Sequence, residues 1–175
     1  MAITDYPDFE QFTLGQQHEP VEVDSSEAIR AASLALIGSA RREIVMLSRH
    51  LDPSLYDNSE TSTALRGFVL SSRRARVRIL VKDPDPPARK GHRVVELAHR
   101  VSSFIEVRTP APEYHAVNAA YLVVDRVGLI YRSLADRYEA TVCFADRHTA
   151  GDLLRQFEEM WETSRVDPAL RRLAM

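Results

Sequence analysis

The sequence predicts an α/β fold built on a mixed, mostly parallel sheet, with helices on both faces and antiparallel strands towards the C-terminus. Helical and strand patterns alternate along roughly the first 107 residues, which is typical of a parallel sheet covered by helices. Three short apolar runs then follow with only short turns between them, as in antiparallel hairpins. The length of 175 residues, with 45% hydrophobic and 27% charged residues, fits one globular domain that can bury a hydrophobic core.

The first elements follow from capping residues and apolar periodicity. Asp24 can cap a helix, and Glu27 lies three residues later, as a capping box requires. The compact apolar run at 43–47 is typical of a buried strand. A second helix is predicted over 60–71, where apolar residues share one face, and an alternating strand over 77–81.

The later elements are shorter and separated by turn residues. The proline-rich segment 83–87 predicts a break in regular structure, followed by a helix over 88–100 and a strand over 105–107. Three strands joined by short turns are predicted at 121–124, 129–131 and 140–144. The last helix is predicted over 149–163, with Trp161 on its core-facing stripe.

The domain organisation follows from where these patterns begin and end. Residues 1–20 mix aromatic and polar residues without periodicity and are predicted to be an N-terminal arm that packs on the domain. The domain itself is predicted over 21–165, with a C-terminal tail over 166–175. No apolar run approaches the roughly 18 residues of a membrane span, and the N-terminus lacks signal-peptide features. We therefore expect a cytoplasmic protein without membrane insertion.

The balance of acidic and basic residues indicates which classes of partner the protein is expected to bind. A net charge of -2 and a pI near 6.3 argue against a general nucleic-acid binder, so nucleic acid is a less favoured partner. One segment nevertheless concentrates nine basic or imidazole residues, which we interpret as a solvated surface in preference to a phosphate site. They are Arg73, Arg74, Arg76, Arg78, Lys82, Arg89, Lys90, His92 and Arg93.

The C-terminal half carries a recognisable spacing of polar residues around an apolar strand. The strand ends at Asp125, Arg132-Ser133 follows, and Glu139 comes later. This spacing resembles the signature of the phospholipase D superfamily, which is His, any residue, Lys, four residues and Asp, followed by Gly-Ser and a later Glu or Asn. In that alignment Asn118 stands in the place of the His and Ala120 in the place of the Lys.

The resemblance in element order covers about residues 24–164 and implies one half of a phospholipase D-type phosphodiesterase. In that family the His is the nucleophile, a His from the second half protonates the leaving group, and the Lys binds phosphate. An amide such as Asn118 cannot attack phosphorus, and Ala120 supplies no charge. Loss of proton transfer alone typically costs on the order of 10²–10⁴ in rate. We therefore predict a catalytically degenerate domain that binds a phosphate-containing ligand or a partner protein.

The alternative is an active phosphodiesterase on nucleic acid or phospholipid that uses His115 or another His in place of the missing His. In an extended strand His115 and Asn118 would point to opposite faces, because their offset is odd, unless a bulge or a turn intervenes. Asp125 is equally compatible with a functional role and with a plain turn. Glu139 is predicted to be a buried carboxylate that pairs with Arg132 or Arg137.

The predicted ligand-binding residues combine this alignment with a rule about open α/β sheets. Arg49 and His50 follow the carboxyl end of a central strand, where such sheets place ligand crevices. The full predicted set is Arg49, His50, His115, Asn118, Asp125, Arg132, Ser133 and Glu139. We assign no catalytic residue and predict neither a cofactor nor a metal ion. Because the chain is long enough for only one half, the resemblance also implies a symmetric homodimer.

Overall fold

Within residues 5–171, the part of the chain that the computed structural model describes, seven strands and seven helices form the fold; for residues 88–90 only the backbone is described. The strands are β1 (Val21–Val23), β2 (Glu43–Ser48), β3 (Arg76–Val81), β4 (Ile105–Arg108), β5 (Ala120–Val124), β6 (Gly128–Arg132) and β7 (Ala140–Cys143). The helices are α1 (Ser26–Ser39), α2 (Pro53–Tyr56), α3 (Ser59–Ser71), α4 (Asp85–Lys90), α5 (Arg93–Arg100), α6 (Arg147–Glu162) and α7 (Pro168–Arg171).

All seven strands belong to one sheet in the order β1-β7-β6-β5-β2-β3-β4. The α/β class and the mixed sheet are confirmed. The expectation of a mostly parallel sheet is wrong, because among the described strands only the β2–β3 and β3–β4 pairings are parallel. The other four pairings are antiparallel, because β5 enters the sheet beside β2 in the opposite direction. Strand β1 was not predicted from the sequence, and it pairs with β7.

Alternating side chains of the central strands supply two separate cores. Ile44 and Met46 of β2 face the layer that contains α1, α3 and α5. Val45 and Leu47 of the same strand face α6. Helices on both faces of the sheet are therefore confirmed. Trp161 is only partly buried, at the margin of the α6 core, where its ring stacks on Phe157 with centroids 5.6 Å apart.

The N-cap of the first helix lies one residue later than predicted. The side-chain oxygen of Ser25 accepts a hydrogen bond from the backbone N–H of Ala28 at 3.1 Å. Ser25 and not Asp24 is therefore the N-cap.

The proline-rich segment also differs from its prediction. Helix α4 forms over Asp85–Lys90 because Pro86 and Pro87 lie in the first turn, where the helix needs no backbone N–H. Gly91 then takes a left-handed conformation with φ of 66°, which ends this helix. The single helix predicted over 88–100 is therefore two helices.

The N-terminal segment packs on the body of the protein through aromatic rings. Phe9 is buried and stacks on Phe144 with ring centroids 6.2 Å apart, while Phe12 meets Phe144 edge-on at 5.1 Å. The backbone N–H of Gly15 donates to the Phe144 carbonyl at 2.8 Å. Residues 1–4 of the predicted arm and 172–175 of the predicted tail lie outside the described residues. Within residues 5–171, none of the helices combines the length and the apolar character that crossing a bilayer requires.

Candidate ligand cleft

An open cleft of about 570 Å³ lies at the sheet edge where β2 and β3 end and β5 begins. This is the edge at which open α/β sheets place ligand crevices. The lining residues carry two cations, two carboxylates, an imidazole and an amide. They are Arg49, Lys82, Asp83, His115, Asn118, Leu134, Ala135 and Asp136.

The loop that carries Arg49 is tied to the loop after β3 by backbone hydrogen bonds. The N–H of Lys82 donates to the Ser48 carbonyl at 3.0 Å, and the N–H of Asp83 donates to the Arg49 carbonyl at 2.6 Å. Leu51 is fully buried and has a positive φ of 53°, which is unfavourable for leucine. The surrounding contacts therefore hold this loop in one conformation, with the exposed Arg49 at the cleft.

One of those contacts comes from His92, which is 1% exposed. Its Nδ1 accepts the backbone N–H of Val94 at 3.1 Å, so the proton lies on Nε2, which donates to the Leu51 carbonyl at 2.8 Å. Burial lowers the pKa of the His92 imidazole. His92 was predicted to belong to a solvated basic surface, whereas it is a neutral, buried anchor of the Arg49 loop.

Lys82 links the loop after β3 to the segment 115–118, which lines another side of the cleft. Its Nζ donates to the carbonyl of Val117 and, at 3.1 Å, to the carbonyl of His115. Burial and the nearby Arg49 guanidinium lower the pKa of the Lys82 amine. Lys82 was not among the predicted ligand-binding residues, although it directly follows β3 just as Arg49 directly follows β2.

His115 and Asn118 line the same cleft, contrary to the expectation that they point to opposite faces. A short 3₁₀ helix at Pro112–Tyr114 and a turn at His115 precede the strand, which begins only at Ala120. Side chains do not alternate between two faces here because this segment is not extended.

Arg132 lies beneath residues 134–136, which line the last side of the cleft, and is only 4% exposed. Its guanidinium donates to the carbonyls of Ala135 at 2.8 Å and Arg137 at 2.7 Å, and lies over the Tyr138 ring. These bonds hold the turn after β6. The predicted ion pair with Glu139 is absent among the described residues, and the Glu139 side chain is exposed instead of buried.

Asp125 lies at the opposite end of β5 from the cleft, so the structure separates it from the other predicted residues. Its carboxylate accepts the backbone N–H groups of Arg41, Arg42 and Glu43 at 2.8, 2.8 and 2.9 Å. Its φ of 51° is a turn conformation that aspartate tolerates. Asp125 is therefore a structural clasp between two connecting loops and not a ligand of this cleft.

Three further predicted residues lie outside the cleft lining: His50, Ser133 and Glu139. His50 is half-buried, whereas the other two are exposed. Of the eight residues predicted to bind a ligand, the structure thus brings together Arg49, His115 and Asn118. Their role in binding stays a prediction.

The basic segment identified in the sequence is divided by the fold. The guanidinium of Arg78 pairs with Glu158 at 2.5 Å and lies over the Trp161 ring, and Arg93 pairs with Asp57 at 3.2 Å. The side chains of residues 89 and 90 lie outside the described part. No group of three potential metal ligands gathers among the described residues.

No curated protein matches this chain in sequence. Among solved structures, TrmBL2, an archaeal chromatin protein with a novel mode of DNA binding, matches 86% of this chain with a TM-score of 0.63 and 15% identity. The match covers 54% of the TrmBL2 chain, so the present chain spans about half of it.

Two smaller proteins are matched over nearly their whole length. Nuc from Salmonella typhimurium, a phospholipase D family member, is 19% identical with a TM-score of 0.57, covering 84% of this chain and 97% of that chain. NucT from Helicobacter pylori is 14% identical with a TM-score of 0.57, covering 85% of this chain and 99% of that chain. The predicted phospholipase D-like fold is thereby confirmed. Residues 25–173 match the family described as Domain of unknown function (DUF7931), and the chain belongs to that family.

Proposed function

We propose that the chain is a catalytically degenerate phospholipase D-like domain that binds a small phosphate-containing ligand in the cleft and acts as a binding or protein-association module. The observation that carries this proposal is the convergence of Arg49, Lys82 and Asn118 on one open cleft. A guanidinium, an ammonium and an amide are suitable donors to phosphate oxygens. At the two positions aligned with the family's His and Lys, the chain has Asn118 and the buried Ala120.

The charge arrangement supports an anionic ligand at this point. Arg49 and Lys82 lie close enough for the guanidinium to lower the pKa of the amine. An anion between the two cations relieves their repulsion and favours the charged amine. Of the three Lys82 donors, two are used by described carbonyl groups, which leaves one for a ligand. Asp83 and Asp136 on the rim oppose a large polyanion in the cleft and favour a small ligand.

The competing function is phosphodiester hydrolysis with His115 as the nucleophile, and the lining of the cleft by His115 favours it. The names of the structural neighbours fit phosphodiester chemistry as well, since Nuc is a phospholipase D family member. The degenerate function is preferred because His115 is an exposed side chain in a turn. Among the described residues, no carboxylate forms a hydrogen bond or ion pair with its ring that would orient it for attack.

Calorimetric titration with inorganic phosphate and with p-nitrophenyl phosphate tests the binding function. Arg49→Gln is expected to weaken binding by about tenfold or more, because a charge-assisted contact contributes about 1.5–3 kcal/mol. Arg155→Gln is the matched control, since Arg155 is an exposed arginine on α6. Equal affinity of wild type and Arg49→Gln would contradict the site.

Catalysis is tested with the same proteins on bis-p-nitrophenyl phosphate, DNA and phosphatidylcholine. We expect no turnover above buffer. Turnover that disappears in His115→Ala would replace the binding proposal with the phosphodiesterase.

We further propose that two copies associate as a symmetric homodimer around the cleft edge. The resemblance implies a second half at this face, and the exposed Leu134 on the cleft wall offers an apolar contact. The N-terminal segment packs on Phe144 and beside α1, away from the cleft, and so leaves this face accessible.

A further inference from the structure

Seven exposed arginines lie at the sheet edge opposite the cleft, and we call this surface the arginine edge. It consists of Arg41, Arg42, Arg73, Arg74, Arg76, Arg100 and Arg126. They come from four segments that are far apart in the sequence: the loop before β2, the loop before β3 together with the first residue of that strand, the end of α5 and the β5–β6 turn.

The strand arrangement explains why these segments meet. The parallel strands β2, β3 and β4 all begin at this edge, and the antiparallel strand β5 ends there. Backbone bonds join the segments: Arg76 N–H donates to the Arg42 carbonyl at 3.2 Å, and Asp125 N–H donates to the Glu43 carbonyl at 2.9 Å. Four neighbouring strands extend over about 15 Å, at roughly 4.8 Å per strand spacing. The arginines therefore form a row and not a pocket.

The positive charge of this row is largely uncompensated. Two carboxylates lie in or next to these segments: Glu43, the first residue of β2, pairs with Arg126 at 3.5 Å, and Asp125 is turned onto backbone N–H groups. Arg76 donates to backbone carbonyls and lies over the Phe104 ring. Five of the guanidinium groups have no carboxylate partner among the described side chains: Arg41, Arg42, Arg73, Arg74 and Arg100.

The chemistry of the row fits phosphates in a linear chain. Guanidinium groups bind phosphate oxygens in pairs of parallel hydrogen bonds, which lysines cannot do. A length of about 15 Å spans about four phosphates of one strand of duplex DNA, at roughly 3.4 Å of axis each. A protein partner would instead need a dehydrated apolar centre, whereas Leu70 is the one strongly exposed large apolar side chain near this edge among the described residues.

We propose that the arginine edge binds the backbone of a nucleic acid, independently of the cleft. The net charge of -2 does not indicate this basic surface, because seven acidic residues in 5–29, a segment without Lys or Arg, offset the arginines in the total. That acidic segment packs on Phe144, which follows β7 at the same end of the sheet as the arginines, and Asp8 and Glu10 lie beside Gly38 and Ser39 at the end of α1. We therefore expect the nucleic acid over β2, β3 and β4, on the part of the arginine edge away from this segment. The cleft lies about 17 Å away, at the other end of strands that advance roughly 3.3 Å per residue.

Fluorescence anisotropy with a labelled 20-base-pair DNA duplex, measured between 50 and 200 mM salt, tests the proposal. Contact with about four phosphates predicts that log K falls with log[salt] with a slope of about −3.6. The double variant Arg42→Gln/Arg74→Gln removes two contacts, so we expect a slope of about −1.8 and about 60-fold weaker binding at 0.1 M salt. Arg155→Gln is the control with an exposed arginine elsewhere and should bind as wild type does.

Three outcomes would overturn the proposal. One is an unchanged affinity in Arg42→Gln/Arg74→Gln, provided that its urea unfolding matches that of the wild type. A second is a comparable loss in Arg49→Gln, which would move nucleic-acid binding to the cleft. The third is displacement of the DNA by polyglutamate at equal charge, which would assign the edge to an acidic protein.

Discussion

Asp125 links two segments of the arginine edge, the β5–β6 turn and the start of β2 with the loop before it. Replacing Asp125 tests how much this link stabilises the fold. The Asp125 carboxylate accepts three backbone N–H groups, from Arg41, Arg42 and Glu43. With two exposed donors at about 0.5–1 kcal/mol each and a partly buried one at about 1.5 kcal/mol, loss of the carboxylate costs about 3 kcal/mol. We therefore expect Asp125→Gly to lower the free energy of unfolding by about 3 kcal/mol.

The backbone conformation at Asp125 distinguishes two causes of lost stability: the loss of the hydrogen bonds and the steric cost of a side chain at positive φ. Because φ is 51°, Asp125→Ala adds a steric cost of about 1 kcal/mol that glycine avoids. Asp125→Asn tolerates the conformation and keeps one acceptor oxygen, so about half of the loss is expected. In a chain of this length, 3 kcal/mol corresponds to a Tm decrease of about 6–12 °C.

Urea unfolding followed by circular dichroism measures these differences. Asp152→Asn is the control, because Asp152 is an exposed helix residue whose ion pair with Arg155 contributes little. An Asp125→Gly variant that unfolds within about 0.5 kcal/mol of the wild type would refute the structural role of this carboxylate. An alanine variant more stable than the glycine variant would refute the steric cost assigned to the backbone conformation.

Two further predictions concern pH and assembly. Since burial lowers the pKa of His92, folding favours its neutral ring; stability should be complete above the unfolded pKa of about 6.5 and decrease as pH falls below it, by at most about 1.4 kcal/mol per pH unit. Urea unfolding from pH 7.5 to 5.5 should reveal this slope, and a slope of the same size in His92→Gln would contradict the assignment. The proposed dimer predicts a light-scattering mass near twice 19.8 kDa at micromolar concentration, and a monomer mass at high concentration would refute it.

Local patterns were sufficient for the main elements of the fold. The strand predicted at 43–47 is observed at Glu43–Ser48, and the helix predicted over 60–71 is observed at Ser59–Ser71. Both follow from side-chain periodicity within a few residues, which depends little on the rest of the chain. The share of parallel pairings was misjudged because β5 could join the sheet in either direction, and that choice depends on partners more than 70 residues away.

The candidate cleft was only partly accessible from sequence. Arg49 and Asn118 were reached through the crevice rule and the alignment, because both depend on position along a strand. Lys82 and His92 were assigned to a solvated basic surface, since nothing in a list of charges separates a buried imidazole or a tethered amine from exposed neighbours. Asp125 illustrates the opposite error, because its three N–H partners lie more than 80 residues away along the chain.

The sequence by itself determined the α/β class and the positions of most helices and strands. These features are set by residue identity and short-range periodicity. Only the tertiary structure decided that Arg42, Arg74 and Arg126 form one surface while Asp125 neutralises none of them. The physical reason is that parallel strands bring the starts of distant segments to the same edge of a sheet, and the net charge of a chain contains no information about that convergence.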